Sequence, residues 1–293
     1  SPSRDTGRFG IPCHSRRRLF SVLGAMLRAD VFLLGGGSLL QDQTGRRSLA
    51  YYLFLLRLAR LAHCRTATLA LGIGPLRFPG SGRAVLRALR SCEAVTLRDP
   101  ESLRWLTLHG FEGPCPSLVP DPAVFLPTAP PLRCQAIRLR LGLPAGAGLL
   151  CVSVRPLCPA DDAPLCVLAS AVRRVCDRFS LTPVFPVLDP AHDLAVTRHV
   201  IRLCGSGVLF LPDEAADLPA LLREAALLVS MRLHALAFAR QAGIPAIAIS
   251  PSGEEPKLAS FAGGAGFPHF YASRIGVAPL AVEMERILSK KQD

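Results

Sequence analysis

Short apolar runs alternate with longer, helically periodic stretches along almost the whole chain, and few folds accommodate that order. The first two runs, Val31 to Leu34 and Thr66 to Leu71, flank a periodic segment from Arg47 to Ala62. Runs of this length are typical of buried strands, and strands that alternate with helices form βα units in a parallel sheet. A third strand is predicted at Ala94 to Leu97 and a short fourth at Leu118 and Val119.

A second series of the same kind follows an interruption. The segment Pro127 to Pro131, rich in proline and alanine, breaks the pattern and is our candidate linker. Five further strands are predicted beyond it, at Leu149 to Val154, Pro183 to Leu188, Val208 to Leu211, Leu227 to Ser230 and Ile244 to Ser250. We therefore expect an α/β protein with two Rossmann-like parallel-sheet domains facing a cleft, residues 1–130 and 131–293.

The balance of charge points to anionic partners. Thirty-four Lys and Arg against 22 Asp and Glu give a net charge of +12. Arginine's planar fork suits phosphate and carboxylate, so phosphorylated metabolites and an anionic membrane surface are both candidate partners. Nucleic acid is not expected, because the arginines are dispersed and only Trp105 and three tyrosines could stack on bases. The alternative explanation of the positive charge is that these arginines are ordinary surface residues that bind no partner.

The cysteines and the most apolar segment indicate the cellular compartment in which the protein works. Ten cysteines lie singly from Cys13 to Cys204, with no C-x-x-C pair and no Cys/His cluster at zinc spacing, so we read them as small buried hydrophobes. The most apolar stretch, Leu49 to Cys64, carries Arg57 and Arg60 and is too charged to span a membrane. Without an apolar signal-peptide core near the start, the cytoplasm is the expected location, including the inner face of the membrane.

Polar residues that directly follow the predicted strands are the first candidates for function. In open parallel sheets, ligands bind beyond the carboxyl ends of the strands, where helix N-termini present free N–H groups. Arg98, Arg155 and Arg232 each follow an apolar run, and Asp121 follows the short fourth strand. Three arginines at such positions indicate an anion-binding pocket. Asp99 also predicts a helix start, since it is a good N-cap followed by Pro100.

The strongest local signal is the segment Val229 to Ala235, a buried strand that turns into a helix. Arg232 supplies a fixed charge there and His234 a titratable proton, and both can border a ligand held at the helix start. The alternative is that Arg232 pairs with a carboxylate and that His234 is a structural histidine.

A glycine triplet after the first strand is a second, weaker signal. Gly35, Gly36, Gly37 and Ser38 permit close approach of a ligand and expose backbone donors, although neither G-x-G-x-x-G nor a Walker pattern is present. Asp42, shortly beyond, is a candidate base or acceptor for a sugar hydroxyl; its alternative role is that of a loop or cap residue.

Taken together, these motifs resemble the polysaccharide pyruvyltransferase family, in particular its bacterial cell-wall members. The matching blocks fall in the family's order over about residues 28 to 265, and they are Gly35 to Asp42 with Arg47 to Leu49 and Tyr51 to Leu53, Gly72 to Leu76, Leu97 to Ser102, Asp121 to Ala123, Val152 to Pro156 and Ser230 to Ala235. Each block alone is weak, whereas the combination is specific.

The resemblance implies a glycosyltransferase-B-like fold and transfer of pyruvate from phosphoenolpyruvate onto a sugar as a ketal. The acceptor implied is an N-acetylmannosamine unit of a lipid-linked or polymeric cell-wall saccharide, whose pyruvylated form anchors surface-layer proteins. The domain of residues 1–130 is then the acceptor side and the second domain the phosphoenolpyruvate side. No metal or cofactor is expected, since phosphoenolpyruvate is itself the donor substrate.

The residue roles follow from this resemblance together with the chemistry that the transfer requires, since an imidazole titrates near working pH. His234 is the expected acid, and Asp42 or Asp121 the expected base. The substrate-binding residues expected are Arg98, Arg155, Arg232, Gly36, Gly37, Ser38, Gly72 and Gly74.

The chain departs from the family pattern in three places. Leu71 stands where the family usually has Gln, and the stretch Pro251 to Lys257 differs from the family's Tyr-Asp-Pro-Lys. The family's first βα unit is missing ahead of Ser1, so we expect a fragment whose first strand has an unpaired apolar edge, prone to association and poorly active. A nucleotide-sugar glycosyltransferase and a non-catalytic relative that binds an anionic glycan remain the rival functions.

Overall fold

The chain forms two compact α/β units, Ser1–Pro122 and Ala123–Asp293. They are seen in a computed structural model that describes residues 11–15, 18–43, 45–126, 130–144, 146–157, 162–251 and 256–290. All strand pairs among these residues are parallel. The predicted class, two Rossmann-like parallel-sheet units, is therefore confirmed. Residues 127–129 of the candidate linker and 252–255 of the divergent stretch lie outside the described residues.

The first unit is built on a four-stranded sheet in the order β1-β2-β3-β4. The strands are β1 (Val31–Leu40), β2 (Arg65–Ile73), β3 (Ala94–Leu97) and β4 (Ser117–Leu118). The helices are α1 (Leu19–Met26), α2 (Arg46–Leu61), α3 (Ser81–Arg90) and α4 (Pro100–Leu108), and a 3₁₀ turn follows at Pro122–Phe125. Pro100 is the first residue of α4, and the Asp99 carboxylate accepts from Ser102 N–H at 2.8 Å, as its cap role predicts.

Strands β1 and β2 both continue past the ends predicted for them. The sequence ended the first strand at Leu34, but β1 runs through the glycine triplet and pairs again where Leu40 faces Ile73. The register shifts between Gly37 and Leu40, where Gly36 (φ 42°) and Gly37 (φ 96°) adopt left-handed conformations that disfavour larger residues. The triplet thus forms an irregularity within a strand.

The second unit has a six-stranded sheet in the order β10-β9-β8-β5-β6-β7. Its strands are β5 (Gly148–Ser153), β6 (Leu181–Pro186), β7 (Val208–Phe210), β8 (Ala225–Ser230), β9 (Ala246–Ser250) and β10 (His269–Tyr271). Its helices are α5 (Pro131–Arg140), α6 (Ala163–Phe179), α7 (Pro190–Cys204), α8 (Asp217–Leu222), α9 (Leu233–Ala242), α10 (Pro256–Ala265) and α11 (Val277–Ser289). Counted within this unit, the order is the 3-2-1-4-5-6 of dinucleotide-binding folds, and its direction reverses between β5 and β8.

Both faces of this sheet are buried. Alternate residues such as Leu149 and Cys151 pack into one core, while Leu150 and Val152 pack into the other. This two-sided burial explains why the strands appear in the sequence as continuous apolar runs. Among the described cysteines, Cys13, Cys115 and Cys166 are exposed and the others are buried. No described helix is both long and apolar enough to cross a bilayer.

Candidate functional site

Three of the predicted site residues of the first unit meet at the carboxyl ends of its strands. Arg98 follows β3, Asp121 follows β4, and Ser38 lies near the end of β1. Arg98 Nη1 donates to Asp121 Oδ2 at 2.5 Å, and Nη2 donates to Ser38 Oγ at 3.0 Å. The Arg98 side chain is only 7% exposed, so the charge of Asp121 balances it in a place that water barely reaches. The cluster offers a fixed set of hydroxyl, carboxylate and guanidinium groups at this edge.

The glycines predicted to bind substrate lie near the same edge of the sheet. A side chain at Gly36 would meet no atom within 4 Å, so the glycine serves the backbone conformation and leaves open space beside it. Gly72 is buried within β2, and Gly74 N–H donates to Leu40 O at 2.8 Å. Gly74 therefore ties the loop after β2 to the end of β1.

Asp42 is held in a way that suits a structural role better than that of a base. It is 1% exposed, and its two carboxylate oxygens accept from Arg77 N–H at 2.7 Å and Phe78 N–H at 3.1 Å. Burial alone would raise the pKa of Asp42, but these hydrogen bonds and one from Ser81 outweigh it and lower the pKa. A carboxylate with a lowered pKa and occupied oxygens is a poor proton acceptor, so this geometry favours the loop-or-cap alternative.

In the second unit, Arg232 forms a bidentate ion pair with a carboxylate, as its alternative interpretation predicted, although the sequence did not identify the partner. Its Nε donates to Asp193 Oδ2 at 2.9 Å and its Nη2 to Asp193 Oδ1. Asp193 lies in the first turn of α7 and is completely buried, while 24% of the Arg232 side chain is exposed. The carboxylate therefore engages one edge of the guanidinium. The other edge carries Nη1, for which the described residues provide no hydrogen-bond acceptor.

The three charged residues predicted for this unit lie at the point where the strand order reverses. Arg155 follows β5 closely, and Arg232 directly precedes α9 after β8. Arg155 is partly buried, and His234, the second residue of α9, is exposed. Ligands of doubly wound sheets bind outside the strand ends at this reversal, and the helix N-terminus there favours anions. Strand order and residue chemistry thus single out the same place.

A row of buried serines lies at this edge and was not singled out from the sequence. Ser153, Ser230 and Ser250 end the adjacent strands β5, β8 and β9, and each is at most 1% exposed. Ser153 and Ser230 are register partners, so both hydroxyls face the same side of the sheet. Ser230 Oγ accepts from Arg232 N–H at 2.9 Å and fixes the turn into α9. The Ser153 hydroxyl has no hydrogen-bond partner within the described part of the chain.

His269 extends the polar row to the edge strand. Its Nε2 lies 2.8 Å from Ser250 Oγ, and its ring packs edge-on against Tyr271. Burial lowers the pKa of His269, because the charged imidazolium is poorly solvated there. The sequence signal for two of the serines was available, since the apolar runs Leu227 to Ser230 and Ile244 to Ser250 end in Ser, whereas Ser153 lies one residue before the end of its run. His269 and Asp193 carried no comparable local signal.

No group of His, Cys, Asp and Glu within the described ranges is placed to hold a metal ion.

Comparison with known proteins gives one family and a set of structural neighbours. Residues 4–253 match the family model described as polysaccharide pyruvyl transferase. No curated protein sequence matches the chain. UDP-GlcNAc 2-epimerase from Methanocaldococcus jannaschii aligns with a TM-score of 0.63 at 13% identity, over 94% of this chain and 75% of that one. The Neisseria meningitidis UDP-GlcNAc 2-epimerase bound to UDP-GlcNAc aligns with a TM-score of 0.61 at 11% identity, over 96% and 76%. At such identities the likeness concerns the fold alone.

Proposed function

Because the chain belongs to the polysaccharide pyruvyl transferase family, we propose that it transfers pyruvate from phosphoenolpyruvate onto a sugar of a cell-wall polysaccharide as a ketal. One observation supports the donor most strongly: Arg155 and Arg232 follow the two strands between which the sheet order reverses. Phosphoenolpyruvate carries a phosphate and a carboxylate, and two guanidinium groups beside a helix N-terminus match two anions.

Arg232 suits this role because Asp193 fixes its orientation. With Nε and Nη2 engaged by the buried carboxylate, the side chain cannot swing away, and the Nη1 edge is presented in one direction. A fixed donor costs less entropy on binding than a mobile surface arginine. We assign the phosphate or carboxylate of the donor to that edge and the second anion to Arg155.

The reaction begins with a proton transfer to the donor. His234, exposed in the first turn of α9, protonates the methylene carbon of phosphoenolpyruvate, which leaves an oxocarbenium-like centre at C2. A sugar hydroxyl adds to C2 and loses its proton. Phosphate then leaves with the electrons of its C–O bond, and the second hydroxyl adds to C2 and loses its proton in turn. One of the two released protons returns to His234, and the other leaves with phosphate.

We assign acceptor recognition to the first unit. The Arg98, Asp121 and Ser38 cluster presents groups that hydrogen-bond sugar hydroxyls, and Asp121 can orient a hydroxyl or accept its proton. The acceptor proposed is N-acetylmannosamine in a lipid-linked or polymeric wall saccharide that anchors surface-layer proteins once pyruvylated. The protein would then work in the cytoplasm, where phosphoenolpyruvate is made.

Donor binding tests the assignment of Arg232. Replacing Arg232 with Ala should weaken phosphoenolpyruvate binding by about 1.5–3 kcal/mol, the range for hydrogen bonds to charged groups. Arg198→Ala is the matched control, since Arg198 is an exposed arginine of α7 in the same unit. Calorimetric titration of both variants decides the matter, and equal affinities would remove Arg232 from the site. Titration with UDP-sugars alongside tests the rival glycosyltransferase function.

Turnover tests the assignment of His234. His234→Ala should lower turnover about 100-fold to 10,000-fold with a smaller change in donor affinity, the usual contribution of general acid catalysis. His234→Gln should be similarly slow, because glutamine keeps a hydrogen bond but not the proton. His192→Ala, at an exposed histidine of α7, controls for loss of an imidazole. Near-normal turnover in both His234 variants would place the acid elsewhere.

A further inference from the structure

The first unit contains a long stretch with arginine as its only charged residue. No Asp or Glu lies between Asp42 and Glu93, whereas nine arginines do. Helices α2 and α3 fall entirely within this stretch. Arg65 and Arg90 pair with Glu93 and Glu112, and the excess of positive charge along the rest of the segment attracts anionic partners.

Helix α2 displays this charge together with large apolar side chains on a single stripe. Arg47, Ala50, Phe54, Arg57 and Leu61 follow one another at spacings of three and four residues, which places them on one helical face, and all five are exposed. Phe54 is 45% exposed and Leu61 68%. The opposite face is buried through Leu49, Leu55, Leu56 and Ala59. Helix α2 is thus anchored to its unit by one side and presents arginines and apolar groups on the other.

The neighbouring helix α1 also exposes large apolar side chains. Met26 of α1 is buried in one cluster with Leu55 and Ala59 of α2, so the two helices pack together. Phe20 of α1 is 92% exposed and Leu27 is 64% exposed. Isolated apolar residues at a surface are ordinary, whereas several large ones on adjoining helices indicate an interaction site.

Helix α5 of the second unit shows what distinguishes this face. It also exposes large apolar side chains, Leu132 at 75% and Leu139 at 81%. Its three arginines, however, are all ion-paired, namely Arg133 with Asp217, Arg138 with Glu224 and Arg140 with Asp213. No ion pair forms between a described carboxylate and Arg47, Arg57 or Arg60. The cations of α2 are therefore available to an external anion.

We propose that the outer face of α2, continued by α1, docks the protein on an anionic lipid bilayer. Exposed arginines beside Phe and Leu are the composition of helices that lie in the membrane interface, where the apolar groups enter the headgroup boundary and the cations meet anionic lipids. Nucleic acid would use the arginines but leave Phe54, Leu61 and Phe20 without a function. The docking does not depend on the reaction proposed above, because it concerns a different surface.

Vesicle co-sedimentation of the full chain tests the docking. The probes are phosphatidylcholine vesicles with and without about one third phosphatidylglycerol, at low and high salt. We expect binding to the anionic vesicles only, reduced by salt. Arg57→Gln should weaken the binding about fivefold, and Arg47→Gln with Arg57→Gln about 25-fold, if each arginine near the surface contributes about the usual amount. Phe54→Ser and Leu61→Ser should each weaken it several-fold.

The matched control is Leu139→Ser on α5, which removes an even more exposed apolar side chain from a helix whose arginines are paired. We expect it to bind like the original protein. Emission of Trp105, the single tryptophan, verifies that the first unit is folded in each variant. Equal binding to neutral and anionic vesicles, unchanged binding of the α2 variants, or an equal loss for Leu139→Ser would overturn the docking. The docking would also be overturned if duplex RNA abolished vesicle binding and bound the Phe54→Ser variant as well as it binds the original protein.

Discussion

Replacing Asp193 with Asn should destabilise the second unit selectively. Asp193 is fully buried, accepts from two nitrogens of Arg232, and also accepts from Asp189 N–H at 3.2 Å. Asparagine keeps the volume but turns one accepting oxygen into an NH₂ group that faces a donor. Breaking a fully buried ion pair costs about 3–5 kcal/mol. Because 24% of the Arg232 side chain is exposed, water solvates the guanidinium and offsets part of this cost. We therefore expect the free energy of unfolding to fall by about 2–3 kcal/mol.

Two probes separate the units in a urea titration of the full chain. Trp105, the only tryptophan, lies in α4 of the first unit and packs against its core, so its fluorescence follows that unit. Far-UV circular dichroism follows both units. Unfolding of the second unit changes the dichroism but not the fluorescence. Asp193→Asn should lower the urea midpoint of that part of the dichroism transition by about 1 M, given a slope of about 2–3 kcal/mol per molar urea. The fluorescence midpoint should stay where it is.

Two further variants complete this test. Asp121→Asn, which breaks the Arg98 pair in the first unit, should shift the fluorescence midpoint instead. The double variant Asp193→Asn with Arg232→Gln should be less destabilised than the sum of the single variants, by about 1–3 kcal/mol, because the two residues share one interaction. An unshifted dichroism transition in Asp193→Asn would refute the account of this pair.

Two other substitutions probe the polar groups at the strand ends. Asp42→Asn should lower the fluorescence midpoint by the equivalent of about 1–3 kcal/mol, because the amide places a donor against an N–H of Arg77 or Phe78; an unchanged midpoint would show that the carboxylate does not hold this loop. The pKa of His269 is lowered in the folded protein, so the unfolded chain takes up the proton first as pH falls through about 6.5, and stability decreases below that pH. His269→Gln should remove this part of the decrease, measured as urea midpoints at pH 7.5 and at about pH 5.5, and an unaltered pH dependence would contradict the assignment.

The fold class could be predicted from the sequence because the residue patterns that indicate it are local. Strand burial on both faces turns β5, β8 and β9 into continuous apolar runs, and Asp99 with Pro100 marks the start of α4 in the chain itself. The arginines after the strands could be found for the same reason, since a parallel sheet brings all carboxyl ends to one edge. The order of the strands depends on pairing across the sheet and could not be found in this way.

What the sequence left open depends on contacts between distant residues. An acidic residue in a first helical turn is ordinary, and nothing near Asp193 in the sequence shows that it faces Arg232, which lies 39 residues away. Helix α5 was missed because its start at Pro131 lay in the segment read as a linker, although proline is favoured at the first helical position. Strand β10 has three residues and is defined by its pairing with β9.

In the proposed reaction, pyruvate is transferred through protonation of the donor's methylene carbon. The most direct measurement is the reaction of phosphoenolpyruvate with an N-acetylmannosamine acceptor in D₂O, with the product analysed by mass spectrometry and NMR. Our account predicts a ketal whose methyl group carries a single solvent deuterium, formed together with an equal amount of free phosphate. A product without solvent deuterium would contradict this mechanism, and transfer of a sugar from a UDP-sugar in place of the ketal would contradict the proposed function.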